Sequence, residues 1–234
     1  MNSRVFVGQP KASLIRQQVT DGIREAILEM RLLPGDRLIE RELVEWSGVS
    51  RATIRESIRE LAAENLVQII PQRGAVVASP SLKEAIEIYE IRANLEGLAG
   101  RQCAENATPA QIKAVRRAYE AFRRAAESGG KTSMLQLKSK IYDALFEGSG
   151  NSTIQDILMR LQARVTVLRS ITMSQPGRLG STVEELREVV EAIEARDGLA
   201  AEAACVAHVN SAGKIAIEAL RASLAESGGE SGEQ

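Results

Sequence analysis

The chain has 234 residues, and its 30 lysine and arginine residues nearly balance its 31 aspartate and glutamate residues. A formal net charge of −1 gives no overall basic signature for nucleic acid, so such a function has to rest on where particular arginines lie. Hydrophobic residues make up 44% of the chain and aromatic residues only 3%. This length and composition predict one large or two small domains made mostly of α-helix.

Cysteine usage and the lack of long apolar runs indicate a cytoplasmic protein. Cys103 and Cys205 are isolated and form no Cys-x-x-Cys pair, which favours reduced thiols. The opening residues lack the apolar core of a signal peptide, and no apolar run approaches the length of a membrane span. We therefore expect a soluble cytoplasmic protein with no membrane partner.

The N-terminal third has the pattern of a winged helix-turn-helix. Apolar residues recur at helical spacing over 11–31, and Pro34-Gly35-Asp36 ends that helix. A short helix over 39–46 follows, and Ser50 is a suitable N-cap for a helix that ends near Asn65. Two β runs, 66–70 and 75–77, are joined by a turn at 71–74. The prediction is a flexible N-terminus over 1–10 and a DNA-binding domain over 11–79.

This arrangement puts polar side chains where a DNA-reading helix needs them. The second helix of a helix-turn-helix reads base edges in the major groove with its N-terminal residues. Arginine can bridge guanine O6 and N7, and free amides at a helix start suit phosphate. A glycine at the wing tip permits close approach to the DNA. The predicted DNA contacts are Arg41, Ser50, Arg51, Thr53, Arg55, Arg73 and Gly74.

The sequence after residue 79 predicts an all-α antiparallel bundle. The expected helices are 82–105, 109–127, 132–148, 152–173, 181–196 and 198–224, separated by breaks rich in glycine and proline. We expect a second domain over 80–224 that carries the effector site and the dimer interface. The polar, Gly/Ser-rich tail over 225–234 predicts disorder.

The motifs resemble a known family. The run from Pro34 to Val77 is similar to the N-terminal domain of the GntR superfamily of bacterial transcription regulators. The helical part resembles the FCD ligand-binding domain of the FadR-type branch, in its shorter, VanR-like six-helix form. Its landmarks include 88–92, 145–151, 176–178 and 192–197. The resemblance implies a homodimer that binds palindromic double-stranded operator DNA near the nucleoid and responds to a small organic acid.

The chain departs from the metal site of that family. Many FCD domains hold a divalent metal with one aspartate and three histidines, and the matching positions here are Lys138, Tyr142, Leu186 and His208. A lysine ammonium has no lone pair and repels a cation, and leucine has no donor atom. We therefore expect no metal and no other cofactor.

The same replacement suggests an anion site. Lys138 would supply a fixed positive charge where the metal lies in the family, and arginines pair with carboxylate or phosphate. The candidate effector residues are Arg92, Lys138, Tyr142, Asn151, Arg169 and His208. Structural alternatives stay open: Lys138 can face solvent, Arg92 can pair with Glu96 four residues on, and His208 can be a core histidine.

These patterns favour a sequence-specific transcription regulator that is controlled by an anionic metabolite. A repressor is favoured over an activator. Three alternatives remain. The chain can be a constitutive DNA-binding regulator with a degenerate pocket, a metal-dependent FCD regulator with displaced ligands, or an enzyme built on the helical domain. No nucleophile–base pair stands out, and a single histidine limits general-base chemistry, so the enzyme reading is disfavoured.

Overall fold

The computed structural model describes residues 10–29, 31–128 and 134–229. These residues form nine helices and one two-stranded sheet. They divide into two compact units, one that ends at Ser79 and one that begins at Pro80. The predicted fold class, mostly α with a small wing, is confirmed. The expected flexible N-terminus lies outside the described residues except for Pro10, which begins the first helix.

The first unit contains three helices and the wing: α1 (Pro10–Leu28), α2 (Glu40–Ser47), α3 (Arg51–Ala63), β1 (Val67–Ile70) and β2 (Gly74–Val77). Its core forms because apolar residues at helical spacing fall on one face of each longer helix. Ile23 and Ile27 of α1 are buried, and Ile54 and Leu61 of α3 are fully buried. Arg24 adds a two-bond link from α1 to Glu64, with distances of 2.9 and 2.7 Å.

The wing is an antiparallel pair fixed to the preceding loop. Val67 lies opposite Val77 and Ile70 opposite Gly74. The amide of Leu38 donates to the carbonyl of Ala75 at 2.8 Å, so the chain before α2 runs along the outer edge of β2. Gly74 has φ +84°, a conformation that side chains with a Cβ rarely adopt, which explains a glycine at the tip.

The second unit consists of six helices: α4 (Leu82–Asn106), α5 (Pro109–Ser128), α6 (Met134–Ser149), α7 (Ser152–Met173), α8 (Arg178–Glu194) and α9 (Gly198–Gly229). Helix α4 is central and packs against α6, α7, α8 and α9. Its approach to α9 is close because small residues line the contact. A Cβ added at Gly100 would lie 2.6 Å from Sγ of Cys205.

Two helix ends differ from the sequence-based expectation. Helix α8 begins at Arg178 and not at 181, because Gly177 adopts a left-handed conformation (φ +75°) and serves as its N-cap. Helix α9 continues past 224 to Gly229, since the residues that follow Leu224 include no break before the glycine pair at its end. The rest of the expected tail, 230–234, lies outside the described residues.

Candidate functional sites

The start of α3 presents a basic, hydrogen-bond-rich surface. The hydroxyl of Ser50 caps the helix by accepting the amide of Thr53 at 3.2 Å, and the two hydroxyls are 2.9 Å apart. Arg51 opens the helix and is exposed, with no ion pair among the described residues. The positive end of the helix dipole and an exposed guanidinium therefore occur at the same place.

Arg55 lies one turn further along α3 and is held by a carboxylate. Its Nε donates to both carboxylate oxygens of Glu40, at 2.9 and 3.0 Å, and this hydrogen bond raises the pKa of Arg55. Only Nε takes part, so the two terminal Nη groups keep the geometry that bridges guanine O6 and N7. Arg41, on α2, is exposed with Glu45 at 3.9 Å.

A groove of about 400 Å³ runs between the start of α2, α3 and the wing. Four arginines line it, Arg37, Arg55, Arg59 and Arg73, against the single carboxylate of Glu40. The sequence-based site missed Arg37 and Arg59. The sequence could have predicted Arg59, because it lies one helical turn after Arg55. No sequence pattern predicts Arg37, because only the bridge to the wing brings it into the groove. This charge distribution suits a phosphate backbone.

The helical unit brings five of the six candidate effector residues into one buried region: Arg92, Lys138, Tyr142, Arg169 and His208. None is more than 7% exposed. The guanidinium of Arg169 lies over the ring of Tyr142 at 3.9 Å. Asn151 is not part of the group. Its side chain caps α7, accepting the amide of Ile154 at 3.1 Å, and donates to Gln102 at 3.1 Å.

Arg92 forms the ion pair that the sequence left open. Its Nε donates to Oε1 of Glu96 at 2.7 Å, with both side chains fully buried. Nη2 of Arg169 lies 4.0 Å from the same oxygen. Burial alone would raise the pKa of Glu96, but Arg92 and Arg169 lower it, so Glu96 remains a carboxylate.

Lys138 is buried, not solvent-facing, and does not have the fixed charge that the sequence suggested. It is 1% exposed, and the described residues give it no ion pair. Burial, followed by the positive charges of three nearby arginines, lowers the pKa of Lys138 well below its ordinary value. These arginines are Arg169, Arg92 and Arg178. The surroundings therefore disfavour the ammonium form.

His208 belongs to a polar network that the sequence did not predict. Its Nδ1 lies 2.6 Å from Glu185, which also accepts two hydrogen bonds from Arg178 and one from Ser211. Burial is the largest cause that lowers the pKa of His208 to about 4, so the ring is neutral and Nδ1 donates. Although burial opposes it, the hydrogen bonds from His208, Arg178 and Ser211 lower the pKa of Glu185 to about 2.

A cavity of about 190 Å³ opens beside this region, between α4, α6 and α7. Of the candidate effector residues, only Tyr142 and Arg169 line it. Glu96 also lines the cavity, and Arg92 contacts Glu96 from behind the wall. Lys138 and His208 do not line the cavity. Asp143, which follows Tyr142 in the sequence, is also a lining residue. The chemistry of the cavity therefore centres on Arg169 and Tyr142.

The four positions that match the metal ligands of the family do not fit a metal. Lys138 is buried among positive charges, Leu186 is an apolar core residue, and Tyr142 stacks against a guanidinium. His208 alone provides a suitable donor, Nε2, which has no hydrogen-bond partner among the described residues. Within the described ranges, no cluster of three or more His, Cys, Asp or Glu side chains is placed to hold a metal ion.

Comparison with known protein families shows which family the chain belongs to. The family model for bacterial regulatory proteins of the gntR family matches residues 15–77, and the FCD domain model matches residues 87–211. The chain belongs to the GntR family and carries an FCD domain. It is therefore a GntR-type DNA-binding transcription regulator, and its curated relatives are transcription regulators, not enzymes.

Two curated relatives named as repressors match this GntR regulator along most of their length. The chain is 31% identical to the probable D-xylose utilization operon transcriptional repressor of Paenarthrobacter nicotinovorans, over 83% of this chain and 85% of that protein. It is 26% identical to the HTH-type transcriptional repressor RspR of Escherichia coli, over 83% and 86% of the two chains.

Solved structures share the fold. A GntR regulator from Rhodococcus superposes with a TM-score of 0.75 at 20% identity, covering 87% of this chain and 97% of that one. Escherichia coli McbR/YncC superposes with a TM-score of 0.69 at 22% identity, over 84% and 94%. In the part of the GntR regulator that the structure describes, no helix is both long and apolar enough to cross a lipid bilayer.

Proposed function

We propose that this GntR regulator is a homodimeric repressor of bacterial genes. Each protomer inserts α3 into one half-site of a palindromic operator on the chromosome in the cytoplasm. A small organic anion binds in the cavity of the helical unit and lowers operator affinity. Such control requires that the anion binds the DNA-competent and DNA-free arrangements with different affinity.

The observation that carries the DNA-binding part is the arrangement of Arg51 and Arg55 on one face of α3. Arg51 is exposed at the positive end of the helix, and Arg55 is oriented by Glu40 with its Nη groups available. The hydroxyls of Ser50 and Thr53 lie beside them and suit a phosphate. This set separates base reading by the arginines from backbone positioning by the hydroxyls.

The wing and groove supply further phosphate contacts. Arg37, Arg59 and Arg73 line one groove with Arg55, so four guanidiniums face a single carboxylate on this surface. Each phosphate contact steepens the dependence of affinity on salt. Arg37 and Arg59 therefore join the predicted contacts Arg41, Arg73 and Gly74 as positioning residues.

The cavity supports an effector-responsive function over a constitutive one. A degenerate pocket would be expected to fill with apolar side chains, because interiors are close-packed. Instead, Nε of Arg169 and the hydroxyl of Tyr142 are buried without hydrogen-bond partners among the described residues. Buried donors normally have partners, so their state fits a site that a ligand completes. The two relatives named repressors support the sign of the regulation.

The experiment uses DNA selected from a random-sequence pool by the full-length wild-type protein. Arg51→Gln and Arg55→Gln should each lose at least about fivefold in affinity for the selected site, because a bidentate guanine contact contributes about 1–3 kcal/mol. Arg117→Gln, which removes an equal charge from an exposed position on α5, should bind like the wild type. A reporter gene behind the selected site should be silenced by the wild type. Recovery of no common sequence would contradict the proposal.

A further inference from the structure

One end of the cavity carries a guanidinium whose charge is only partly balanced. Arg169 is 7% exposed, and its Nη2 is 4.0 Å from Glu96, too far for a hydrogen bond. That carboxylate is already held by Arg92 at 2.7 Å. Two guanidiniums thus share the carboxylate of Glu96, and among the described residues Arg169 has no carboxylate within hydrogen-bond distance. Nε of Arg169 has no hydrogen-bond partner among the described residues.

Tyr142 adds a second unused donor to the same wall. Its hydroxyl is buried without a partner among the described residues, and its ring lies beneath the guanidinium of Arg169 at 3.9 Å. The ring fixes the guanidinium plane by stacking. A carboxylate that enters the cavity accepts from Nε of Arg169 and from the hydroxyl of Tyr142, and such charge-assisted bonds are the stronger kind.

The other polar groups of the cavity limit the ligand to one negative charge. Glu96 and Asp143 both line it. Burial raises the pKa of Asp143 against the opposing effect of Arg169. A second carboxylate on the ligand would meet these two acidic side chains and would have no free cation on the wall. Like charges at such distances disfavour binding.

Apolar side chains form much of the rest of the cavity wall, which Ser139 and Gln155 complete. Phe146, Leu158 and Val165 line it and are buried, and Met159, which is 58% exposed, lies where the cavity meets solvent. The volume is about 190 Å³. Since an apolar cavity of about 150 Å³ holds a benzene molecule, this one has room for a ring or short alkyl chain together with a carboxylate.

We propose that the cavity binds a small monocarboxylate with a hydrocarbon body of about six carbon atoms. Its carboxylate lies between Nε of Arg169 and the hydroxyl of Tyr142, and its body packs against Phe146, Leu158 and Val165. The ligand class excludes dicarboxylates and inorganic phosphate, because a second negative charge would face Glu96 and Asp143 and would find no free cation among the described lining residues. The assignment rests on the proposed effector-responsive function and names its ligand chemistry.

The test is calorimetric titration of the full-length protein with five probes: benzoate, hexanoate, benzamide, succinate and inorganic phosphate. Benzoate and hexanoate should bind, whereas benzamide, the uncharged counterpart of benzoate, should not. Arg169→Gln and Tyr142→Phe should weaken benzoate binding, the former by about tenfold or more, because hydrogen bonds to a charged group are lost. Arg160→Gln, an exposed position on the same helix, is the matched control and should bind benzoate like the wild type.

Three results would overturn the assignment. In the first, succinate or phosphate binds as tightly as benzoate. In the second, Arg169→Gln and Tyr142→Phe both bind benzoate as tightly as the wild type. In the third, no monocarboxylate binds at concentrations up to about 10 mM. Tyr142→Phe keeps the ring, so it reports on the hydroxyl even if Arg169→Gln fails to fold. Operator affinity is measured in parallel with and without each probe. A different anion that binds and lowers operator affinity would refute the ligand class and leave the proposed function standing.

Discussion

Acidification below pH 6.5 should destabilise the protein through His208, the one histidine in the chain. Burial is the largest cause that lowers its pKa from 6.5 to about 4. Between these values the unfolded chain takes up a proton that the folded protein does not. The contribution of His208 to stability is therefore complete above pH 6.5 and is lost as the pH falls toward 4. The linkage relation gives a loss of about 2 kcal/mol by pH 5.

Protonation of Glu185 contributes little to the change in unfolding free energy between pH 7.5 and 5, because it begins at lower pH. The pKa of Glu185 is lowered from 4.5 to about 2, so it stabilises the fold above 4.5 and that contribution is lost as the pH falls through about 2. Urea unfolding of tag-free protein at pH 7.5, 6.5 and 5 gives the free energies, and His208→Gln, which can still donate to Glu185, is the control. The variant should lack most of the loss. A histidine proton resonance that titrates near 6.5 in the folded protein would refute this reasoning.

Three further predictions concern assembly, metal and packing. Sedimentation at micromolar concentration should show a dimer, because a palindromic operator requires two-fold symmetry; a monomer both with and without operator DNA would contradict this. Chelator should not lower the melting temperature, and added zinc, nickel or manganese should not raise it, since the positions matching the family ligands do not fit a metal; stoichiometric metal near His208 would refute this. Gly100→Ala should destabilise by about 1–3 kcal/mol because its Cβ would lie 2.6 Å from Cys205, whereas Gly180→Ala, with open space, should not.

The DNA-binding unit was predictable because its signals are local. The cap at Ser50, the break at Gly35 and the turn between the two β runs each act within a few residues, and the structure has elements close to the expected places. The groove was predictable only in part. Arg37 joins it through a bridge to Val76, and no local pattern carries that information.

The cavity was harder to predict, because burial decides its chemistry. Sequence spacing puts Lys138 and Tyr142 on one helix face, but it does not say that Lys138 is surrounded by arginines that disfavour its charge. Glu185 was missed because its partner His208 lies on another helix, although its other partner, Arg178, lies only two turns earlier on α8. Asn151 was included because it adjoins a family landmark, yet its side chain serves as the cap of α7.

Methylation interference on the selected operator tests the base-reading role of α3 most directly. A methyl group at guanine N7 blocks the bridge that arginine forms with N7 and O6. The account predicts that methylation of symmetry-related guanines in the two half-sites prevents wild-type binding. In Arg51→Gln or Arg55→Gln, interference at the corresponding guanine should disappear while the other guanine stays sensitive. Interference at no guanine, or a pattern identical in the wild type and both variants, would contradict base reading by these arginines.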